Sequence, residues 1–213
     1  ETVGIYSCSY SPNGRCIVSG HGNGAVKTWD LRTGNCTFEF PQMPAGMVKC
    51  AYSPCGSKIV AVTSKGSFRL WYVNTGKSIH SFELPQCTAS SHLRCCAFSP
   101  NGLHIAAGND IGEVIIWDTA SGKEIQRLKS GLQTYACAFS PDGVNLVSGT
   151  ENASIWDVTS GKSIAEVPAH FSNVGSCNYS PDGRLLVTHD WEGVLRIWDI
   201  ARLTKQTQPD ATI

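Results

Sequence analysis

Short apolar stretches recur along the chain, alternating with polar or small positions and cut off by Gly, Pro, Ser or Asn. Cys96-Ala97-Phe98, Leu103-His104-Ile105-Ala106, Val114-Ile115-Ile116-Trp117 and Lys123-Glu124-Ile125-Gln126-Arg127-Leu128 form one such set. Period-two alternation is that of a strand, whose successive side chains point to opposite faces. Helical periodicity is absent, and turn signals separate every pair of stretches. The pattern predicts an all-β chain built of short strands.

The stretches repeat as a set. Ser-Pro-x-Gly occurs five times, starting at Ser11, Ser53, Ser99, Ser140 and Ser180. A Trp follows 17 residues after the Pro in four repeats and 15 in the fourth: Trp29, Trp71, Trp117, Trp156 and Trp198. Asp follows four of these Trp, and a Thr-Gly or Ser-Gly pair comes shortly after at Thr33, Thr75, Ser121 and Ser160. Pro presets φ in the first turn and Gly supplies its permissive position. Each repeat therefore reads as four strands: one before Ser-Pro, one after it, one ending in Trp, and one after the Ser/Thr-Gly turn.

A four-stranded unit of about 40 residues repeated in tandem is the unit of a β-propeller. Phe98-Ser99-Pro100-Asn101-Gly102 through Ile116-Trp117-Asp118 to Ser121-Gly122-Lys123 resembles a WD-repeat blade, and the resemblance covers nearly the whole chain. It implies a β-propeller of four-stranded antiparallel blades at about 3–40, 46–83, 92–128, 133–167 and 173–207, with a flexible tail at 208–213. Residues 200–207 have no Ser/Thr-Gly turn before them and are expected to serve as the fourth strand of the last blade.

Family propellers usually have seven blades and are commonly closed by an N-terminal strand that completes the last sheet; this chain has no strand left over for that. Five blades fit an open arc, a small closed ring, or part of a larger propeller with further blades upstream. The last is expected, in which case this chain alone would expose two apolar blade faces and associate.

Cys8, Cys50, Cys96, Cys137 and Cys177 lie four before the turn Pro, and Tyr10, Tyr52, Phe98, Phe139 and Tyr179 lie two before it. In a strand these share a face, so the five cysteines are expected as small core residues. Free buried thiols fit a reducing compartment, hence an intracellular location, cytoplasmic in preference to nuclear. The family resemblance also implies a structural tetrad of His, Ser/Thr, Asp and Trp. Carried over by position, the fifth repeat has His170, Thr188, Glu192 and Trp198; the second and third have Ala61 and Ala107 in the hydroxyl position.

Composition changes this picture little. There are 17 Lys+Arg and 17 Asp+Glu, but residues 1–106 carry nine basic against four acidic groups and the remainder eight against thirteen. The folded object should have a charge dipole, which can orient a partner on approach. Gly20-His21-Gly22-Asn23-Gly24 lacks the helix that a phosphate-cradling loop needs, and Gly76-Lys77-Ser78 and Gly161-Lys162-Ser163 lack the upstream glycine of a P-loop. Cys87, His92, Cys95 and Cys96 straddle a loop and a core strand without a Cys-x-x-Cys pair, so no metal or other cofactor is expected.

What remains is binding. The regular turns fall on one rim of a propeller; the variable second-to-third-strand turns and the links between blades fall on the other. Variable loops on a rigid frame are where a scaffold recognises its partners. The candidates are Trp191, Phe171, Ile111, His189, Lys65 and His21, with Met43, Met47 and Leu132 in the links. Trp191 leads them: it is off the structural Trp position, in a turn, between Asp190 and Glu192. The expected function is a non-enzymatic scaffold for partner peptides or loops, without nucleic acid or a membrane span. The alternative is a reader of phosphorylated or nucleic-acid ligands through Lys49, Lys65 and Arg94 of the basic first half.

Overall fold

The computed structural model describes residues 3–83, 92–167 and 172–205. Strands follow the repeats. The first blade holds β1 (Ile5–Tyr10), β2 (Cys16–His21), β3 (Val26–Asp30) and β4 (Cys36–Glu39). The second holds β5 (Val48–Tyr52), β6 (Lys58–Thr63), β7 (Ser67–Tyr72) and β8 (Ser78–Glu83). The third holds β9 (Leu93–Phe98), β10 (His104–Asn109), β11 (Glu113–Asp118) and β12 (Glu124–Lys129), and the fourth β13 (Ala136–Phe139), β14 (Asn145–Gly149), β15 (Ala153–Asp157) and β16 (Ser163–Val167). The fifth has β17 (Val174–Tyr179), β18 (Leu185–Asp190) and β19 (Leu195–Asp199), followed by helix α1 (Ile200–Lys205). Each sheet is an antiparallel meander in sequence order.

The Ser-Pro-x-Gly turn explains why each first hairpin forms. In four repeats the Ser hydroxyl donates to the Asn or Asp at x, as Ser11 to Asn13 at 2.8 Å and Ser140 to Asp142 at 2.5 Å. In every repeat it accepts the amide five residues on, as from Cys16 at 2.9 Å and Lys58 at 3.0 Å. The Gly takes φ near +70° (72° at Gly56), which a side chain would strain. These turns also pack on one another. A Cβ on Gly56 would stand 3.4 Å from Pro12, one on Gly102 3.6 Å from Pro54, one on Gly143 3.5 Å from Pro100 and one on Gly183 3.5 Å from Pro141.

That series is open at its start, since Gly14 meets nothing within 4 Å. Innermost strands pack in order, β1 on β5, β5 on β9, β9 on β13 and β13 on β17, with no comparable contact from β17 back to β1. The five blades form an arc whose core lies between neighbours. Val18 and Val26 of the first blade bury against Cys50, Tyr52, Ile59 and Trp71 of the second. Val60, Phe68 and Leu70 of the second bury against Ile105, Ile115 and Trp117 of the third. Each blade thus covers the next one's Trp-bearing face.

Three expectations need correction. The fifth blade has three strands among the described residues. Asp199 accepts the amides of Ala201 (2.9 Å) and Arg202 (3.3 Å), capping α1. Ile200 and Leu203 then join the core cluster of the fourth blade. Cys8 is exposed, because no described blade packs on that face of the first, whereas Cys50 and Cys177 are buried. Burial raises the thiol pKa of Cys50 to about 12 and pushes Cys96 and Cys177 well up; at Cys137 contact with Cys95 and burial do the same. Met43, placed with the rim by sequence, is buried between the first two blades.

Candidate functional site

Backbone hydrogen bonds tie the second-to-third-strand turns to the links between blades. Gly46 donates to Gly22 (3.0 Å), Ser64 to Met47 (2.9 Å), Asp110 to His92 (3.1 Å), Val174 to Thr150 (2.6 Å) and Trp191 to Asn173 (3.2 Å). They make one continuous rim, opposite the Ser-Pro-x-Gly turns.

Three of these turns are held from inside by the last residue of the second strand. Asp190 Oδ1 accepts the amides of Glu192 (3.1 Å) and Val194 (2.8 Å). Asn109 Oδ1 accepts those of Ile111 (3.2 Å) and Glu113 (2.8 Å), and Thr63 Oγ1 those of Lys65 (3.2 Å) and Ser67 (3.3 Å). Asp190 is buried and Glu192 is exposed, so the internal carboxylate of the fifth blade is Asp190. The indole of Trp198 donates to Thr188 at 2.9 Å, as Trp29 does to Ser19 at 2.7 Å and Trp156 to Ser148 at 2.8 Å. His170 and Phe171 lie outside the described residues.

With its turn fixed this way, Trp191 projects onto the rim and is 58% exposed. Its ring leans on Tyr135, which begins the fourth blade, with centroids 4.6 Å apart. It also crosses Gly175, where a Cβ would come within 2.7 Å of its Nε1. The ring is therefore braced by the neighbouring blade while more than half its surface faces solvent. Ile111 and Leu132 are also exposed, and their segments touch: a Cβ on Gly112 would stand 2.6 Å from Leu132 N. Glu151 and Glu192 are exposed beside this apolar strip, and neither has an ion pair among the described residues.

The basic side of the rim is more occupied. Arg94 grips Asp110 with two bonds, at 2.6 and 2.9 Å, and His92 Nδ1 contacts the same carboxylate at 2.8 Å. That pairing raises the Arg94 pKa. Lys49 donates to the Tyr6 carbonyl at 3.1 Å, while Lys65 is exposed. His21 faces Ser19 Oγ at 2.9 Å, and burial, then Lys27, lowers its pKa. His189 is exposed. Cys87 lies outside the described residues, and Cys95 is buried. Sequence reasoning missed Tyr135; its one local signal is an aromatic just before an innermost strand.

No described helix is long and apolar enough to cross a membrane. Among known proteins, a stretch of 55 residues is 34% identical to the periodic tryptophan protein 2 homolog of Neurospora crassa. It covers 26% of this chain and 6% of that protein, so this chain spans a small part of its relative's length. The description "WD domain, G-beta repeat" matches residues 1–30, 76–118 and 161–199, more than half of the chain. Two of these stretches run from the Ser/Thr-Gly turn before an outer strand to the Trp strand of the next blade, a unit that spans the interface between blades. On that match and five tandem blades of one design, the chain belongs to the WD-repeat family.

Proposed function

We propose that the chain is a non-catalytic scaffold that binds a peptide or loop of another protein on the variable rim, with Trp191 and Tyr135 as its anchor. The braced but exposed indole carries this reading: aromatic residues held rigid by neighbours dominate interface energetics. The family, whose members are typically interaction scaffolds, supports it. Ile111 and Leu132 extend the apolar contact, and Glu151 and Glu192 favour a partner with a basic residue beside its anchor. Lys65 and His189 are accessible at the margins of the same rim, and His21 is partly turned inward. Free thiols throughout the blades support an intracellular setting. The phosphate-reading alternative is less well supported, because Arg94 is already neutralised by Asp110.

The test is quantitative affinity capture from the source cells with the wild type, Trp191→Ala, Tyr135→Ala and a far-rim control, Arg32→Ala. Trp191→Ala should reduce recovery of rim-bound partners roughly tenfold or more, the size of a hot spot. Tyr135→Ala should do so less, and Arg32→Ala not at all. Equal recovery by all four folded proteins removes the assignment.

A further inference from the structure

Trp191 stands apart from the other tryptophans. Trp29, Trp156 and Trp198 each donate the indole N–H to a hydroxyl of their own blade, and Trp71 and Trp117 are buried. The Trp191 indole N–H has no acceptor among the described residues. Its ring is nevertheless seated. Gly175 lies at a bulge between Val174 and Ser176 of β17, a device that re-aims the chain. The lack of a side chain there lets the indole lie close: a Cβ would stand 2.7 Å from Nε1 and 2.8 Å from Cδ1. The ring of Tyr135 supports it from the fourth blade, and the Tyr135 hydroxyl is itself tied to Gln133.

The backbone brings two carboxylates to this ring pair. The Tyr135 amide donates to Gly149 at 2.9 Å and the Val174 amide to Thr150 at 2.6 Å. Glu151 comes next on that turn, and Glu192 directly follows Trp191. The turns on either side of the rings thus each carry an exposed carboxylate, and neither is ion-paired among the described residues. Arg94 lies near Tyr135 and would repel a cation, but its charge is met by Asp110 at 2.6 and 2.9 Å.

We infer that this seat takes an arginine side chain of the partner, stacked on the open indole and paired with Glu151 and Glu192. The inference rests on the rim reading above and specifies its partner. An aromatic face is negative and attracts a cation. A guanidinium is planar, so it stacks on the ring while its fork of donors reaches two carboxylates; an ammonium is a compact, strongly hydrated point charge and does this less well. The unused indole N–H is left for a main-chain carbonyl of the same segment. The two carboxylates repel an acidic or phosphorylated side chain.

The probes are fluorescein-labelled peptides Leu-Ala-X-Ala-Leu, in which X is arginine, lysine, citrulline, leucine or glutamate, titrated into the 213-residue chain by fluorescence anisotropy. Citrulline keeps the shape of arginine without its charge. The arginine peptide should saturate and bind roughly tenfold more tightly than the citrulline peptide, with lysine between them and glutamate weakest. Glu151→Gln combined with Glu192→Gln, both at exposed positions, should shrink the advantage of arginine over citrulline and leave the citrulline peptide unchanged. Trp191→Ala should weaken every peptide. No saturation by the arginine peptide at about 1 mM, equal binding of arginine and citrulline, lysine matching arginine, or a preference for leucine would each overturn the inference. The rim reading fails separately, in the capture experiment: loss of partners with Trp191→Ala alongside equal binding of arginine and citrulline would keep the anchor and remove the arginine.

Discussion

The inner blades and the two end blades carry the same side chains in the same register and differ in what covers them. Tyr52 and Phe139 are each 8% exposed, whereas Tyr10, their counterpart in the first blade, is 70% exposed. Leu70, Ile116 and Ile155 are essentially buried, whereas Ile197 at the same position of the fifth blade is not. A blade does not bury its own apolar faces; its neighbour does. Stability in such a stack is a sum of nearest-neighbour interfaces, so a residue's worth depends on its place in the row more than on its type.

The sharpest way to break this comparison is one substitution made twice. Ile116→Ala removes buried methylenes between the third and fourth blades and should destabilise by about 2–5 kcal/mol. Ile197→Ala acts on an exposed side chain and should stay within about 0.5 kcal/mol. Urea melts of both against wild type read the difference directly. Equal losses would mean that Ile197 is covered in solution, by a second copy or by closure of the arc.

A smaller contrast sharpens the same point within the hydrogen-bond network. Ser148→Ala strands the Trp156 indole, which is buried between blades, and should cost about 1–3 kcal/mol. Ser19→Ala strands the Trp29 indole on the open side of the first blade, where water can replace the hydroxyl, and should cost less than half as much. Thermal melts of the two variants check the order; a larger loss at Ser19 would place a covering surface over the first blade.

The blades themselves were legible because the spacing of turn Pro and Trp is nearly constant, and a strand period of two then assigns each face. The end effects were not, since repeat identity says nothing about whether a neighbour is present: Cys8 and Cys50 look alike in sequence. The helix found in place of the expected strand start did leave a trace. Asp199 followed by Ile200-Ala201-Arg202-Leu203 is a capping residue with an apolar pair three apart, a helix start. On the rim, Trp191 was readable as an unusual aromatic in a turn. Its brace, Tyr135, was not, because the two meet only across blades. The inner carboxylate of that turn was misplaced at Glu192 because Thr63, Asn109 and Asp190 do one job with three different residues, which hides the position from residue matching.

The mildest departure from the repeat is a single side chain with no role in packing. Cys55 stands at x of the second Ser-Pro-x-Gly turn, where the other four have Asn13, Asn101, Asp142 and Asp182. Those oxygens accept from the turn Ser and from the amide two residues on; the Cys55 sulfur sits in the same cradle, 3.4 Å from Ser53 Oγ and 2.9 Å from Ser57 Oγ. Donors arranged for an anion favour the thiolate, and the Ser53 hydroxyl first, then Ser57, lowers the Cys55 pKa to about 7. The buried thiols are shifted the opposite way. At neutral pH iodoacetamide should therefore modify Cys55 ahead of Cys50, Cys96, Cys137 and Cys177, with a rate that rises through pH 7 as the thiolate forms. Ser57→Ala removes one donor and should move that midpoint upward without altering the melt. Peptide-resolved mass spectrometry across pH 5–9 reads both; a Cys55 midpoint unmoved by the substitution would show that the turn does not tune the sulfur.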